Sequence, residues 1–111
     1  FKTACPRDDG LPRLETAIRG DFPLMNVAEN HRVVALAKTA ARRLGRQMAT
    51  KTGGGGSDAN IFFEQGIVMG ILGTGMTDVH SVRETIRLDD MVKSVELLLE
   101  IIQVHAGSFS P

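Results

Sequence analysis

The most informative stretch of this sequence is Gly53-Gly54-Gly55-Gly56-Ser57-Asp58-Ala59-Asn60. Four successive glycines carry no side chain and permit backbone angles that other residues rarely adopt. A hydroxyl, a carboxylate and an amide follow them within the next four positions. This order favours a loop whose backbone approaches a ligand closely and whose polar side chains then contact it.

A second stretch of this kind follows at Leu72-Gly73-Thr74-Gly75-Met76-Thr77-Asp78-Val79-His80. It contains a Gly-Thr-Gly turn and ends in side chains that can bind a metal. Functional residues are often carried on loops that a rigid scaffold positions. The two glycine-rich stretches therefore predict the rim of one active site.

Other uses of glycine-rich sequence fit less well. A Gly/Ser tract is typical of a flexible linker, but this one occurs once and is followed at once by the apolar residues 61–63. A phosphate-binding loop would place a Lys-Ser/Thr pair where this chain has Ser57-Asp58. The dinucleotide-binding pattern Gly-x-Gly-x-x-Gly does not occur after a predicted strand.

Length and composition predict one α/β domain or part of one. The chain has 111 residues, of which 42% are apolar and 23% charged, and its formal net charge is zero. A neutral chain argues against general nucleic-acid binding, and no apolar run is long enough to cross a bilayer. A single cysteine excludes an internal disulfide, and no apolar signal segment follows the first residues, which together favour a cytoplasmic location.

The first half of the chain predicts a strand followed by a helix. Residues 13–20 alternate polar and apolar side chains, as a half-buried strand does. Residues 30–44 repeat apolar side chains at helical spacing, with Asn30 as the N-cap and Gly45 as the stop. The charged side chains of this helix are predicted to form a solvated face.

The second half predicts two strands and two helices. Residues 47–52 favour a short strand, and residues 58–65 a short helix capped by Ser57 or Asp58. The apolar run 67–72 is typical of a strand buried on both faces. Asp89 or Asp90 caps the last helix, and its predicted apolar stripe consists of Met91, Val95, Leu98, Leu99 and Ile102. This order predicts an α/β fold with a mostly parallel sheet, in which ligands bind beyond the carboxyl ends of strands.

His80 is the strongest candidate for chemistry among the three histidines. His31 is predicted to lie at a helix start and His105 at a helix end, where surface or capping roles are usual. His80 instead follows a predicted strand and a glycine turn, where a neutral imidazole could bind zinc or act as a general base. An ordinary loop histidine remains the alternative.

No complete site can be assembled from these residues. Zinc needs three or four ligands, and neither a second histidine in a comparable loop nor a cysteine pair accompanies His80. Asp58, Asp78 and Glu84 could contribute, although Asp78 and His80 would point to opposite sides of an extended chain. Ser57 has no adjacent base that would make it a nucleophile.

These motifs closely resemble the C-terminal end of peptidase T-like proteins. Those proteins belong to the di-zinc exopeptidase family that includes aminoacylase and glutamate carboxypeptidases. The resemblance covers residues 13–104 and is strongest over residues 53–104. Its specificity lies in the combination of both glycine stretches, His80 and the last helix at this spacing.

The resemblance implies a fold and a domain division. The fold would be a partial three-layer α/β sandwich with a mostly parallel sheet, the C-terminal segment of a di-zinc exopeptidase catalytic domain. Residues 13–25 would be the last strand of a lid or dimerisation domain and the crossover, and residues 26–106 the C-terminal part of the catalytic domain. Residues 1–12 are predicted to be an irregular lead-in and residues 107–111 a tail.

The resemblance also implies roles for individual residues. His80 would be the family's last zinc ligand, and Ser57, Asp58 and Asn60 would orient the peptide or order the loop. The implied substrate-binding residues are Ser57, Asp58, Asn60, Gly73, Thr74 and Gly75. The family's His-x-Asp motif, bridging aspartate and Glu-Glu pair are absent from this sequence. It would therefore supply at most one ligand to a pair of zinc ions, and no catalytic base.

The expected function follows from that resemblance. The parent protein would be a cytoplasmic zinc-dependent aminopeptidase or tripeptidase that hydrolyses short peptides with a metal-activated water, and this chain alone would be inactive. The alternative is an inactive, truncated α/β module that acts through self-assembly or partner binding, as a homodimer or larger oligomer. Neither hypothesis involves nucleic acid or a membrane.

Overall fold

The computed structural model describes residues 16–20 and 22–107. Within them the chain forms three helices: α1 (Arg32–Arg43), α2 (Asp58–Glu64) and α3 (Leu88–Gly107). The predicted lead-in and residues 108–111 of the predicted tail lie outside the described residues, whereas Gly107 is the last residue of α3. No helix in the described part of the chain is long and apolar enough to cross a membrane.

Helix α1 confirms the predicted amphipathic helix, but Asn30 is not its N-cap. His31 caps it instead, because its Nδ1 accepts a hydrogen bond from the Val33 backbone N–H at 3.3 Å. A turn in which the His31 N–H donates to the Ala28 carbonyl at 2.9 Å precedes the helix and moves its start by one residue. The helix ends as predicted, with Gly45 in a left-handed conformation (φ 67°).

Helices α1 and α3 pack against each other and form the main tertiary contact. The buried residues of α1 are Ala37, Ala40 and Ala41, whose small side chains permit a close approach of the neighbouring backbone. Two arginines reach across. Arg43 pairs with Glu100 at 3.3 Å, and Arg46 pairs with Glu96 and donates to the Lys93 carbonyl at 2.9 Å.

The predicted apolar stripe of α3 lies on the exposed side of this pair. Its members, from Met91 to Ile102, are between 49% and 62% exposed, and α3 has no fully buried residue. Partial burial instead recurs at Ser94, Leu97, Ile101 and Val104, the spacing of one helix face. The stripe that the sequence predicts is thus present as one face of α3, but no other described element covers it.

The predicted strands do not form in the described residues, and residues 13–15 of the first predicted strand lie outside them. There, the only β pairing is an isolated antiparallel bridge between Thr77 and Thr85. The run 67–72 was predicted to be buried on both faces, but Ile67 is 54% and Ile71 is 63% exposed. A strand requires a neighbour for its hydrogen bonds, and none lies beside this run. The mostly parallel sheet of the predicted sandwich is thus absent from the part of the chain that the structure describes.

Candidate active-site loops

The glycine-rich loop (residues 53–57) ends at the first turn of α2, as the sequence predicts. Ser57 is the N-cap, and its backbone N–H donates to the Asn60 side-chain Oδ1 at 2.9 Å. The Asn60 backbone N–H donates to the Ser57 carbonyl, also at 2.9 Å. These two bonds close the first turn of α2 and fix the direction from which the glycine-rich loop approaches the helix.

Asn60 also ties this turn to a distant part of the chain. Its Nδ2 donates to the Pro23 carbonyl at 2.9 Å, and the residue is only 8% exposed. The amide therefore uses its oxygen within the turn and its nitrogen on the segment that precedes α1. This arrangement connects the first turn of α2 to that segment, and the role that the family resemblance implies for Asn60 stays a prediction.

The four glycines differ in their surroundings. A Cβ added to Gly56 would lie 2.6 Å from the ring of Phe22, whereas one added to Gly53, Gly54 or Gly55 would meet nothing within 4 Å. Packing therefore excludes a side chain at Gly56 and leaves the other three open to solvent. The sequence carries no signal that pairs Phe22 with Gly56, because no local pattern links two residues so far apart in the chain.

Ser57 and Asp58 lie at the start of α2 with different environments. The Ser57 Oγ is buried and faces the first turn of α2 in a capping box with Asn60, and none of the described residues is a base that would activate it as a nucleophile. The Asp58 side chain is exposed in the first helical turn, where a carboxylate interacts favourably with the helix dipole.

The second glycine turn is docked on the start of α3. Gly75 adopts φ 88°, and a Cβ at this position would lie 2.9 Å from the Asp90 Cβ. The Ser94 hydroxyl lies within hydrogen-bond distance of two carbonyls, that of Thr74 at 3.3 Å and that of Asp90 at 2.8 Å. Glycine is therefore favoured at position 75 for two reasons: the backbone there is left-handed, and it lies too close to α3 to leave room for a side chain.

His80 lies in a closed loop that we call the histidine loop (residues 77–85). Thr77 and Thr85 join its ends through backbone bonds of 2.9 and 3.2 Å and through their hydroxyls, 3.0 Å apart. Asp78 (φ 51°) and His80 (φ 66°) are both left-handed. The chain here is curled rather than extended, so the strand alternation considered for Asp78 and His80 does not apply.

The histidine loop is held from within by Glu84. Its Oε2 accepts a hydrogen bond from the His80 backbone N–H at 2.7 Å. The imidazole itself is exposed, and none of the described residues forms a hydrogen bond or ion pair with it. An exposed, unengaged imidazole on a braced loop can serve as one zinc ligand.

A complete metal site is not formed by the described residues. They contain no group of three or more His, Cys, Asp or Glu side chains close enough to hold an ion. His80 could therefore contribute only a single ligand from among these residues, and its role as a zinc ligand stays a prediction. The two glycine-rich stretches are anchored separately, the first on residues 22–23 and the second on α3.

A separate polar cluster lies beside α1. The Lys38 ammonium donates a hydrogen bond to the Glu29 carboxylate at 2.5 Å and forms an ion pair with it. The Thr50 hydroxyl donates to the same carboxylate oxygen at 3.2 Å. These contacts lower the pKa of Glu29. A shallow depression adjoins this cluster, and none of the predicted site residues lines it.

Comparison with known proteins identifies the chain's relatives. The sequence model of peptidase family M20/M25/M40 matches residues 13–104 of this chain. The uncharacterized protein YqjE of Bacillus subtilis (strain 168) is 34% identical over 94 residues, which are 85% of this chain and 25% of that protein. The crystal structure of aminopeptidase PepT from Bacillus cereus ATCC 10987 matches with a TM-score of 0.72 and 35% identity, over 77% of this chain and 23% of that one.

These matches confirm the predicted resemblance to peptidase T-like proteins. The chain spans about a quarter of the length of both relatives. The division into lid and catalytic parts and the roles of the individual site residues remain predictions. By the extent of the family match, this chain belongs to peptidase family M20/M25/M40, as a segment similar to part of the aminopeptidase PepT.

Proposed function

We propose that the full-length protein is a zinc-dependent exopeptidase, an aminopeptidase or tripeptidase, and that this chain supplies one zinc ligand and part of its substrate cleft. The observation that carries the proposal is the structural likeness to an aminopeptidase over most of the chain, at 35% identity. The substrate would be a short peptide. A cytoplasmic location is part of the same proposal.

His80 is the proposed ligand. Its loop is closed by the Thr77–Thr85 bridge and braced by Glu84, so the imidazole is presented from a short, constrained turn. Zinc bound there would polarise the scissile carbonyl and lower the pKa of a bound water. The remaining ligands and the general base would come from residues outside this sequence.

The two glycine stretches would form part of the cleft wall. The open backbone at Gly53–Gly55 leaves room for a peptide to lie against it. The exposed Asp58 carboxylate can accept hydrogen bonds from peptide N–H or ammonium groups. Gly73, Thr74 and Gly75 would shape the wall next to the zinc, held in place by α3.

Replacing His80 tests the proposal. In the full-length protein, His80→Ala should strongly reduce or abolish hydrolysis of short peptides and deplete part of the bound zinc, measured by mass spectrometry of the metal. His31→Asn is the matched control, since asparagine is also a good N-cap and this histidine lies outside the proposed site. Full activity together with full zinc content in the His80 variant would refute the proposal.

The chain of 111 residues alone should be inactive, because one ligand and no base cannot carry out the reaction. The test is to load the purified chain with zinc and assay it with the same peptides. Turnover that chelation abolishes would contradict this part of the proposal.

A second candidate function is self-assembly or partner binding by this module alone. The observation that favours it is the half-exposed apolar stripe of α3, together with Leu88, which is 73% exposed. Exposed apolar patches of this kind favour association. Light scattering of the purified chain should then show a dimer or larger species, and a stable monomer would count against this candidate.

A further inference from the structure

The glycine-rich loop is attached at two points to the short segment that precedes α1. One point is the hydrogen bond from Asn60 to the Pro23 carbonyl, which joins positions 37 residues apart. The other is the Phe22 ring, which occupies the space that a side chain at Gly56 would need. Both points belong to adjacent residues of one segment, so they act together on one loop.

We propose that Phe22 and Asn60 are positioning residues that set the place of the glycine-rich loop for peptide binding. This inference rests on the proposed peptidase function, because only that function makes the loop part of a substrate cleft. It assigns a role to Phe22, and it gives Asn60 a role in holding the loop rather than in contacting the peptide.

The geometry of Asn60 supports this role. Its oxygen accepts from the Ser57 N–H and its nitrogen donates to the Pro23 carbonyl, both at 2.9 Å. At 8% exposure the amide is largely withdrawn from solvent, where a lost hydrogen bond leaves its partner unsatisfied. An aspartate would keep the acceptor for Ser57 and lose the donor for Pro23. Asn60→Asp therefore breaks the attachment to the segment while sparing the helix cap.

The geometry of Gly56 shows what the Phe22 ring does. Gly56 is not among the glycines with positive φ, so its backbone does not exclude a side chain. The ring does, because an added Cβ would lie 2.6 Å from Cδ2 and 2.7 Å from Cγ of Phe22. An alanine at position 56 must displace either the Phe22 ring, which is 54% exposed, or the loop backbone, and removing the ring must relieve that displacement.

A double-mutant cycle in the full-length, zinc-loaded protein tests the inference. Gly56→Ala should raise KM for a short peptide by roughly tenfold, the size of effect typical of coupled neighbours, with little change in kcat. In Phe22→Ala/Gly56→Ala the KM should return to that of Phe22→Ala. An effect of Gly56→Ala that is equally large with and without the ring would overturn the inference.

A matched glycine variant checks that the rescue is specific. An added Cβ at Gly70 would make only ordinary contacts, 3.9 Å from Val33. The effects of Gly70→Ala and Phe22→Ala should therefore add without coupling. Rescue of Gly70→Ala by Phe22→Ala would mean that the ring acts non-specifically, which also counts against the inference.

Hydrogen exchange gives a readout that does not depend on activity. Phe22→Ala and Asn60→Asp should each speed deuterium uptake in a peptide that covers residues 53–60, whereas uptake in α3 should not change. Unchanged uptake in residues 53–60 would overturn the inference even if Gly56→Ala failed to fold. If the wild-type protein hydrolyses no peptide, the proposed function fails, and the exchange data still decide whether the segment holds the loop.

Discussion

The His80 backbone N–H donates a hydrogen bond to the Glu84 carboxylate at 2.7 Å, so the proposed zinc ligand and its brace belong to one short loop. His80 is left-handed there, with φ 66°. Such a conformation in a residue other than glycine persists only when the surroundings hold it. The Glu84 contact and the Thr77–Thr85 bridge supply that restraint.

Removing the brace should weaken zinc binding. In the full-length protein, Glu84→Ala should lower zinc affinity by about 10–100-fold, the effect typical of groups that orient a ligand. Glu84→Gln keeps an acceptor oxygen and should stay much closer to wild type. Competition with a chelator measures the affinity, and Glu64→Ala, an exposed glutamate of α2, is the control. Equal affinity in the Ala, Gln and wild-type proteins would contradict the bracing role.

A side chain at Gly75 should destabilise the protein. Gly75→Ala places a Cβ in a backbone conformation with φ 88° and 2.9 Å from the Asp90 Cβ. We expect a loss of about 1–3 kcal/mol in the free energy of unfolding, measured by denaturant titration of the full-length protein. Gly53→Ala, which adds a Cβ into open space, should change it far less. Similar losses in the two variants would show that the α3 contact does not restrict Gly75.

Overfilling the contact between α1 and α3 should also destabilise the fold. Ala40 is fully buried, at 0% exposure, and inserting extra methylenes into a packed site costs about 1–3 kcal/mol. Ala40→Leu should therefore lower the thermal midpoint clearly. Ala35→Leu, on the exposed side of the same helix, is the control. A midpoint for Ala40→Leu as high as that of the control would mean that the site is loosely packed.

The Glu29 cluster should make stability depend on pH in the acid range. The Lys38 hydrogen bond and charge lower the pKa of Glu29 in the folded protein below its ordinary value of 4.5. The unfolded chain therefore binds a proton at higher pH than the folded one. The stability from this contact is present above pH 4.5 and is lost as pH falls through the lowered pKa of the folded state.

Comparing unfolding midpoints of wild type and Glu29→Gln from pH 7 to pH 3 tests this expectation. The wild-type advantage should shrink as the pH falls, and it should be small throughout because Glu29 is exposed to solvent. Glu64→Gln, in an exposed residue without a described ion pair, is the control. A constant difference between wild type and Glu29→Gln over the whole range would contradict the assignment.

Local sequence determined the helices and most of their ends. The start of α3 is an exception, because the helix begins at Leu88 and the predicted caps Asp89 and Asp90 lie inside its first turn. Apolar spacing and glycine stops predicted α1 and α2, and Ser57 capped α2 as expected. Helix starts and stops depend on hydrogen bonds within a few residues, which is why nearby sequence is informative. The one-residue error at Asn30 came from a preceding turn that local propensity does not distinguish from a cap.

Tertiary structure alone decided which apolar surfaces are covered and which distant residues meet. The α3 stripe and the run 67–72 have the composition of buried elements, yet both remain half exposed because burial requires another element to lie against them. The contacts of Phe22 with Gly56 and of Asn60 with Pro23 join positions that no local pattern relates. Sequence determined that residues 53–57 form a glycine-rich loop and that His80 lies in a second loop, whereas packing between distant segments decided how those loops are held.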